Sequence, residues 1–144
     1  MDISVMRIRA RDGNLADQTV LGICYLDGIE VEVDYQEAFR FLSPPAARGV
    51  PRAMSNLARI YAEGLGIEKN VTEAIRLYKR AAKAGEIFAQ IALGRIHSNG
   101  KDVPVNQDEA LNWYSLALSE LDDTADNYQD IQEAKSYIKA GSSG

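Results

Sequence analysis

The chain has 144 residues, 46% of them hydrophobic and 26% charged, with a formal net charge of −5, the composition of one ordinary globular domain. The acid excess argues against nucleic acid and anionic membranes as partners, because both demand a basic footprint. The single cysteine, Cys24, rules out an intramolecular disulfide, and no stretch has the length and apolarity of a leader or a membrane span, so the expectation is a cytoplasmic protein.

The glycines set a period of 36 residues. Gly13, Gly49 and Gly85 are equally spaced, as are Gly28, Gly64 and Gly100. Leu21, Leu57 and Leu93 keep the same step, and so do Ala38, Ala74 and Ala110, then Tyr25, Tyr61 and His97, and the small residues Gly22, Ala58 and Gly94. Uninterrupted self-similarity of this length is the signature of a solenoid. It divides one domain over residues 1–140 into repeats at about 13–48, 49–84 and 85–120, a helix before them over 1–11 and a capping helix after them over 124–139. Residues 141–144 read as a linker remnant outside the fold.

Taken in chain order, Ile3, Val5, Met6 and Ala10 stand one period before Phe39, Phe41, Leu42 and Ala46, so the first helix is of the same kind as the second helix of each repeat. In the first repeat, Ser43-Pro44-Pro45 falls inside that second helix and should stop it early or kink it, since proline removes ladder bonds and crowds the preceding turn. The middle repeat is the clearest. Pro51 opens helix A, where a missing N–H costs nothing. Ala53, Leu57, Ile60 and Tyr61 form one buried stripe, and Gly64 closes the helix.

A loop then leads to Asn70-Val71-Thr72-Glu73, which reads as a capping box with the glutamate reaching back to the N-cap amide. Its counterparts are Asp34–Glu37 and Asn106–Glu109. Helix B carries Ala74, Leu77, Tyr78 and Ala81 on its inner side. Glu30 and Asp102 occupy the position of the loop glycine Gly66, so the first and third loops should turn differently from the second. Beyond Leu118, Tyr128, Ile131, Ala134 and Ile138 restore helical spacing over 124–139 with a polar outer face, as a solubilising cap requires. The fold class is therefore all-α: a right-handed superhelical solenoid of three helix-turn-helix repeats between two terminal helices.

Candidate sites sort by whether they repeat. Core columns repeat because the core repeats, whereas the helix A stripe beside the core does not. It reads Ala16, Val20, Ile23, Asp27, then Arg52, Asn56, Arg59, Glu63, then Phe88, Ala92, Arg95, Asn99. Packing does not dictate these residues, so Val20, Ile23, Arg52, Asn56, Arg59, Glu63, Arg95 and Asn99 form the candidate partner-binding set. Arg59 and Arg95 lie one period apart, about 10 Å by helix packing distances. Their guanidinium forks suit the carboxylates of an acidic peptide or protein. The same arginines also have local acids such as Glu63 within reach on a solvated face.

No catalytic set emerges. His97 takes the tyrosine column and reads as packed core with no ligand neighbours in sequence. Cys24 reads as a buried thiol, and Trp113-Tyr114 fill the columns of Leu77-Tyr78. The acids Glu120, Asp122, Asp123 and Asp126 lack the alternation and glycine of a calcium loop. No metal or cofactor is implied.

The run Ala110-x-x-Trp113-Tyr114-x-x-Ala117, with Leu93-Gly94 and then Gly100-x-x-Val103, resembles the Sel1-like repeat, a relative of the tetratricopeptide repeat. So do Leu57, Tyr61, Gly64-x-Gly66-Ile67, Ala74, Leu77-Tyr78, Ala81-Ala82 and Gly85, and in the first unit Leu21-Gly22, Tyr25, Gly28, Val31, Ala38 and Ala46. The resemblance spans about Ala10 to Leu118. It implies a non-enzymatic scaffold that binds a protein or peptide on its concave helix A surface, of the kind used in signalling, protein quality control and bacterial contact with hosts. A second reading that the resemblance allows is a secreted binder of small ligands or cell-wall components, or a hydrolase. Members linked to β-lactam binding carry a cysteine pair in each repeat, and this chain has one cysteine. The chain is expected to be a monomer, with end-to-end stacking of short solenoids as the route to self-association.

Overall fold

The computed structural model describes residues 2–121 and 128–142. Thr124–Asn127 of the expected last helix, the side chains of Tyr128 and Ile131, and the acids Asp122, Asp123 and Asp126 lie outside the described residues. Among the described residues there are eight helices and no strand: α1 (Ile3–Arg11), α2 (Leu15–Asp27), α3 (Tyr35–Ala47), α4 (Pro51–Glu63), α5 (Val71–Lys83), α6 (Ile87–Asn99), α7 (Gln107–Glu120) and α8 (Tyr128–Ser142). The all-α repeat architecture expected from the period is therefore the one observed. Helix A of the three repeats is α2, α4 and α6; helix B is α3, α5 and α7. The chain packs as two units, Met1–Ala84 and Gly85–Gly144.

In the first unit each helix from α1 to α5 packs on the next, and α2 also touches α4. Met6 and Ala10 of α1 are buried, and the Arg7 guanidinium donates to the Tyr25 hydroxyl. Val5 and Ile8 remain 45% and 61% exposed, because α1 packs chiefly on α2 and leaves its other side open. The Tyr25 ring stacks on Phe41 at 5.9 Å. In the second unit α6 packs on α7 and α7 on α8. Ile91, Tyr114, Ala117 and Ala134 form the core, flanked by Ile87, Leu118, Tyr137 and Ile138. Helix α8 runs on through Gly141 and Ser142, two of the residues set aside as linker, and a Cβ on Gly141 would sit 3.2 Å from Leu111.

Each helix B starts in the same way. Asp34, Asn70 and Asn106 accept from the amides of Glu37, Glu73 and Glu109 at 3.1 Å. The return half of the capping box is not made. The N–H of each N-cap residue instead donates to a carbonyl across the loop, that of Tyr25, Tyr61 or His97, at 2.9, 2.8 and 2.8 Å. The glutamates, left with no amide to satisfy, turn outward: Glu37 to Arg40, Glu73 to Arg76, and Glu109 to the indole N–H of Trp113 at 2.9 Å.

Helix α3 also departs from expectation, continuing through Pro44 and Pro45 to Ala47. The prolines fall in its last turn, so their missing N–H groups remove only the donors to the Arg40 and Phe41 carbonyls near the helix end, and their fixed φ is helical. The Ser43 hydroxyl donates to the Phe39 carbonyl at 2.6 Å, the Pro45 carbonyl accepts from Val50, and the Pro45 ring is fully buried.

The loops are corrected in part. Glu30 has φ +61°, matching Gly66 at +70°, so the first loop makes the same turn as the second despite its side chain. Asp102 does not enter the left-handed region. There the Asn99 side chain accepts from the Lys101 amide at 2.9 Å, and the third loop turns differently, as expected.

Helices A and B approach closely at Gly22 and at Gly94. A Cβ on Gly22 would stand 2.4 Å from Leu42 Cγ, and one on Gly94 would stand 2.7 Å from Tyr114 Cε1. Gly94→Ala is expected to force Tyr114 off its seat and to destabilise the protein by about 1–3 kcal/mol, the usual cost of overpacking, read as a lower denaturant midpoint. Glu30→Gly removes left-handed strain at the cost of chain entropy and is expected to stabilise by up to about 1 kcal/mol, measured by the same unfolding curve.

Candidate functional site

On α2, Val20 is half-buried and Asp27 is exposed, while Ile23 is only 8% exposed and packs into the core, so it leaves the candidate surface. On α4, Arg52 and Glu63 are exposed, and Asn56 folds back to donate to the Arg52 carbonyl at 2.8 Å. Arg59 joins the two helices. Its Nη2 lies 2.5 Å from Asp27 Oδ1 and its Nε 4.0 Å from Glu63 Oε2. The three side chains are 37%, 35% and 59% exposed, so the cluster is solvated, and pairs of this kind contribute little to stability. Its chemical character is a positioned guanidinium whose fork is held by one short contact and one long one.

In the second unit, Arg95 donates to Glu133 of α8 at 2.6 Å, Asn99 is occupied with its own loop, and Phe88 presents a 52% exposed ring. The structure thus brings Asp27, Arg59 and Glu63 together and gives each arginine a carboxylate of its own unit. Glu133 was not visible from the repeat, because it lies on the cap helix out of step with the period. The pairing of Arg59 with acids on its own face was within reach of the sequence, since Glu63 follows it by one helical turn.

The remaining candidates fall to packing. Burial is the main cause that pushes the Cys24 thiol up, with Glu30 adding to it and Arg52 opposing, so the thiol stays protonated. Trp113 is half-buried. His97 is half-buried and its main-chain carbonyl holds the third loop, but its Nε2 is buried with no hydrogen-bond partner, so the ring is packed without being fully satisfied. Among the described residues no three His, Cys, Asp or Glu side chains converge to hold a metal ion, and no helix is long and apolar enough to cross a membrane.

Two antiparallel helices per 36 residues, crossing at a small residue and closed by one recurrent main-chain bond, define a helical-repeat protein of helix-turn-helix units. The chain belongs to the Sel1 repeat family: the Sel1 repeat matches residues 17–49, 51–86 and 87–120. A Sel1 repeat protein from Oxalobacter formigenes is similar in structure, with a TM-score of 0.73 and 32% identity over 96% of this chain and 98% of that one. The protective antigen c5321 of uropathogenic Escherichia coli strains, which displays an SLR fold, matches with a TM-score of 0.80 and 23% identity. The match covers 98% of this chain and 33% of that one, and at this identity the likeness speaks for the fold alone. No curated protein matches the chain. Sel1 repeats generally serve as protein-interaction scaffolds and are generally not enzymes.

The polar end of the second unit supplies a pH prediction. Burial is the main cause that pushes the Tyr114 hydroxyl up to about 12, with Ser98 opposing it and Glu133 adding to it. An unfolded tyrosine ionises near pH 10, so between about pH 10 and 12 the unfolded chain loses a proton that the folded chain keeps, and stability falls as pH rises. The stabilisation is complete below about pH 10. Tyr114→Phe is expected to flatten that part of the alkaline stability profile, measured by chemical denaturation across the range.

Proposed function

We propose that this protein is a non-catalytic scaffold that binds a partner protein or peptide on its helix A face, and that in the first unit the contact centres on Arg59 with Val20, Arg52, Asn56 and Glu63. The observation that carries this reading is the contrast along α2 and α4. On the inner side Leu21 and Leu57, and Tyr25 and Tyr61, repeat, and Gly22 and Ala58 stay small, whereas the stripe beside them changes with each repeat and places a charged cluster where stability gains little from it. Rigid helices hold such a surface ready, which limits the entropy lost on binding. Arg95 and Asn99 play the corresponding part in the second unit.

A partner carboxylate engages Arg59 by replacing Asp27, so the Asp27 contact acts as a placeholder. Affinity capture from the source cell, read by mass spectrometry, tests the reading with four proteins: wild type, Arg59→Glu, Asp27→Asn and the helix B control Arg76→Glu. The expected result is a partner retained by wild type and Arg76→Glu, lost with Arg59→Glu, and bound more tightly by Asp27→Asn by about 1 kcal/mol, the scale of an exposed ion pair. A partner captured equally by all four leaves the scaffold and removes this face.

A further inference from the structure

The first unit separates its charges between its two edges. The helices of this unit alternate in direction, so the C-terminal ends of α1, α3 and α5 share one edge with the N-terminal ends of α2 and α4. That edge carries Arg11, Arg48, Arg52, Arg80 and Lys83, all exposed, against one exposed acid, Asp12, and none of the five cations forms an ion pair among the described residues. Arg9, beside them, is neutralised by Asp17 at 2.9 Å. The opposite edge, made of the loops between helices A and B, carries Asp27, Glu30, Glu32, Asp34, Glu63 and Glu68 with one cation, Lys69.

Helix dipoles account for only part of this. Cations at the ends of α1, α3 and α5 are favourable, but Arg52 stands in the first turn of α4, and Asp27 and Glu63 are the last residues of α2 and α4. At those three positions the dipole opposes the charge. The segregation therefore exceeds what helix stability asks for.

We infer that the edge formed by Arg11, Arg48, Arg52, Arg80 and Lys83 is a second docking surface and that its occupant is an acidic polypeptide segment. Four of the five cations are arginines, whose planar forks match carboxylates in pairs. The edge spans the ends of α1, α3 and α5, on the order of 20 Å by helix packing distances, which an extended segment of about six residues covers. A nucleic acid fits less well: its dense, continuous phosphate charge would run on from this short basic strip into a chain whose net charge is −5. The surface shares Arg52 with the helix A face; its other four cations lie outside that face, so the edge stands whether or not Arg59 binds a partner.

The test is fluorescence anisotropy with a labelled octaglutamate peptide and, as comparator, a single-stranded oligonucleotide of equal charge, at low and physiological salt. The proteins are wild type, the pair Arg48→Glu with Arg80→Glu, the milder pair Arg48→Gln with Arg80→Gln, and the control Arg76→Glu, whose arginine pairs with Glu73 away from this edge, each first matched for helicity and melting temperature. Expected are binding of octaglutamate by wild type that weakens with salt, a loss of about tenfold or more in the glutamate pair and a smaller loss in the glutamine pair, and little change with Arg76→Glu. The inference is overturned if wild type does not bind octaglutamate at low salt, if Arg76→Glu lowers binding as much as the edge variants do, or if the oligonucleotide binds more tightly. It is equally overturned if sedimentation shows a salt-sensitive self-association abolished by the glutamate pair, which would assign the edge to a second copy of the chain.

Discussion

Three main-chain bonds govern the rest of the molecule. In each repeat the amide of the helix B N-cap donates to a carbonyl near the end of helix A, nine residues upstream, at 2.8–2.9 Å. A loop pinned at both ends has one length and one path, so helix B must return antiparallel to helix A in the same register each time. That register brings Gly22 under Leu42 and Gly94 under Tyr114. Because the bond uses only backbone atoms, the side chain at its acceptor residue is free to vary, and His97 replaces Tyr25 and Tyr61 without altering the closure. The bond also fixes the fate of the capping glutamates, which have no amide left to cap and serve the surface instead.

How much of this was legible in the sequence depends on whether a feature recurs. The period, the helix pairs, the stop glycines and the small-residue column were all readable, because each appears three times and chance does not repeat. The features that escaped are those in which tertiary context overrules a local rule. Pro44 and Pro45 read as breakers, yet burial of the Pro45 ring and the Ser43 hydroxyl on Phe39 carry α3 through them. Glu30 reads as a residue that should refuse the glycine conformation, yet the pinned loop holds it at φ +61°. The capping box failed for the same reason: a local motif met a stronger long-range donor–acceptor pair.

The candidate surface was legible as a location and less so as chemistry. The non-repeating stripe identified Arg59 and Arg95, and Glu63 lay within one helical turn of the first. Asp27 and Glu133 come from other elements of the fold, and only the packed helices show that each arginine already holds a carboxylate. Ile23 shows the opposite error, since a variable column still turned one apolar residue inward where the core had room for it. Exposure, not variability alone, separates a recognition residue from a core substitution.

The placement of the tight contacts has an evolutionary corollary. Gly22 and Leu42 lie in one repeat, as do Gly94 and Tyr114, and each loop bond closes within its own repeat. These partners sit on one stretch of about 36 codons and are inherited together, so duplication, loss or exchange of a whole stretch carries them along intact; Gly66, where a Cβ would stand 2.7 Å from Tyr35 Cβ, meets the preceding repeat instead. The ionic contacts of Arg59 with Asp27 and of Arg95 with Glu133 instead bridge different stretches, so recombination rewires them. Gene rearrangement in such a chain conserves the contacts inside each helix pair and reshuffles the charge contacts between stretches.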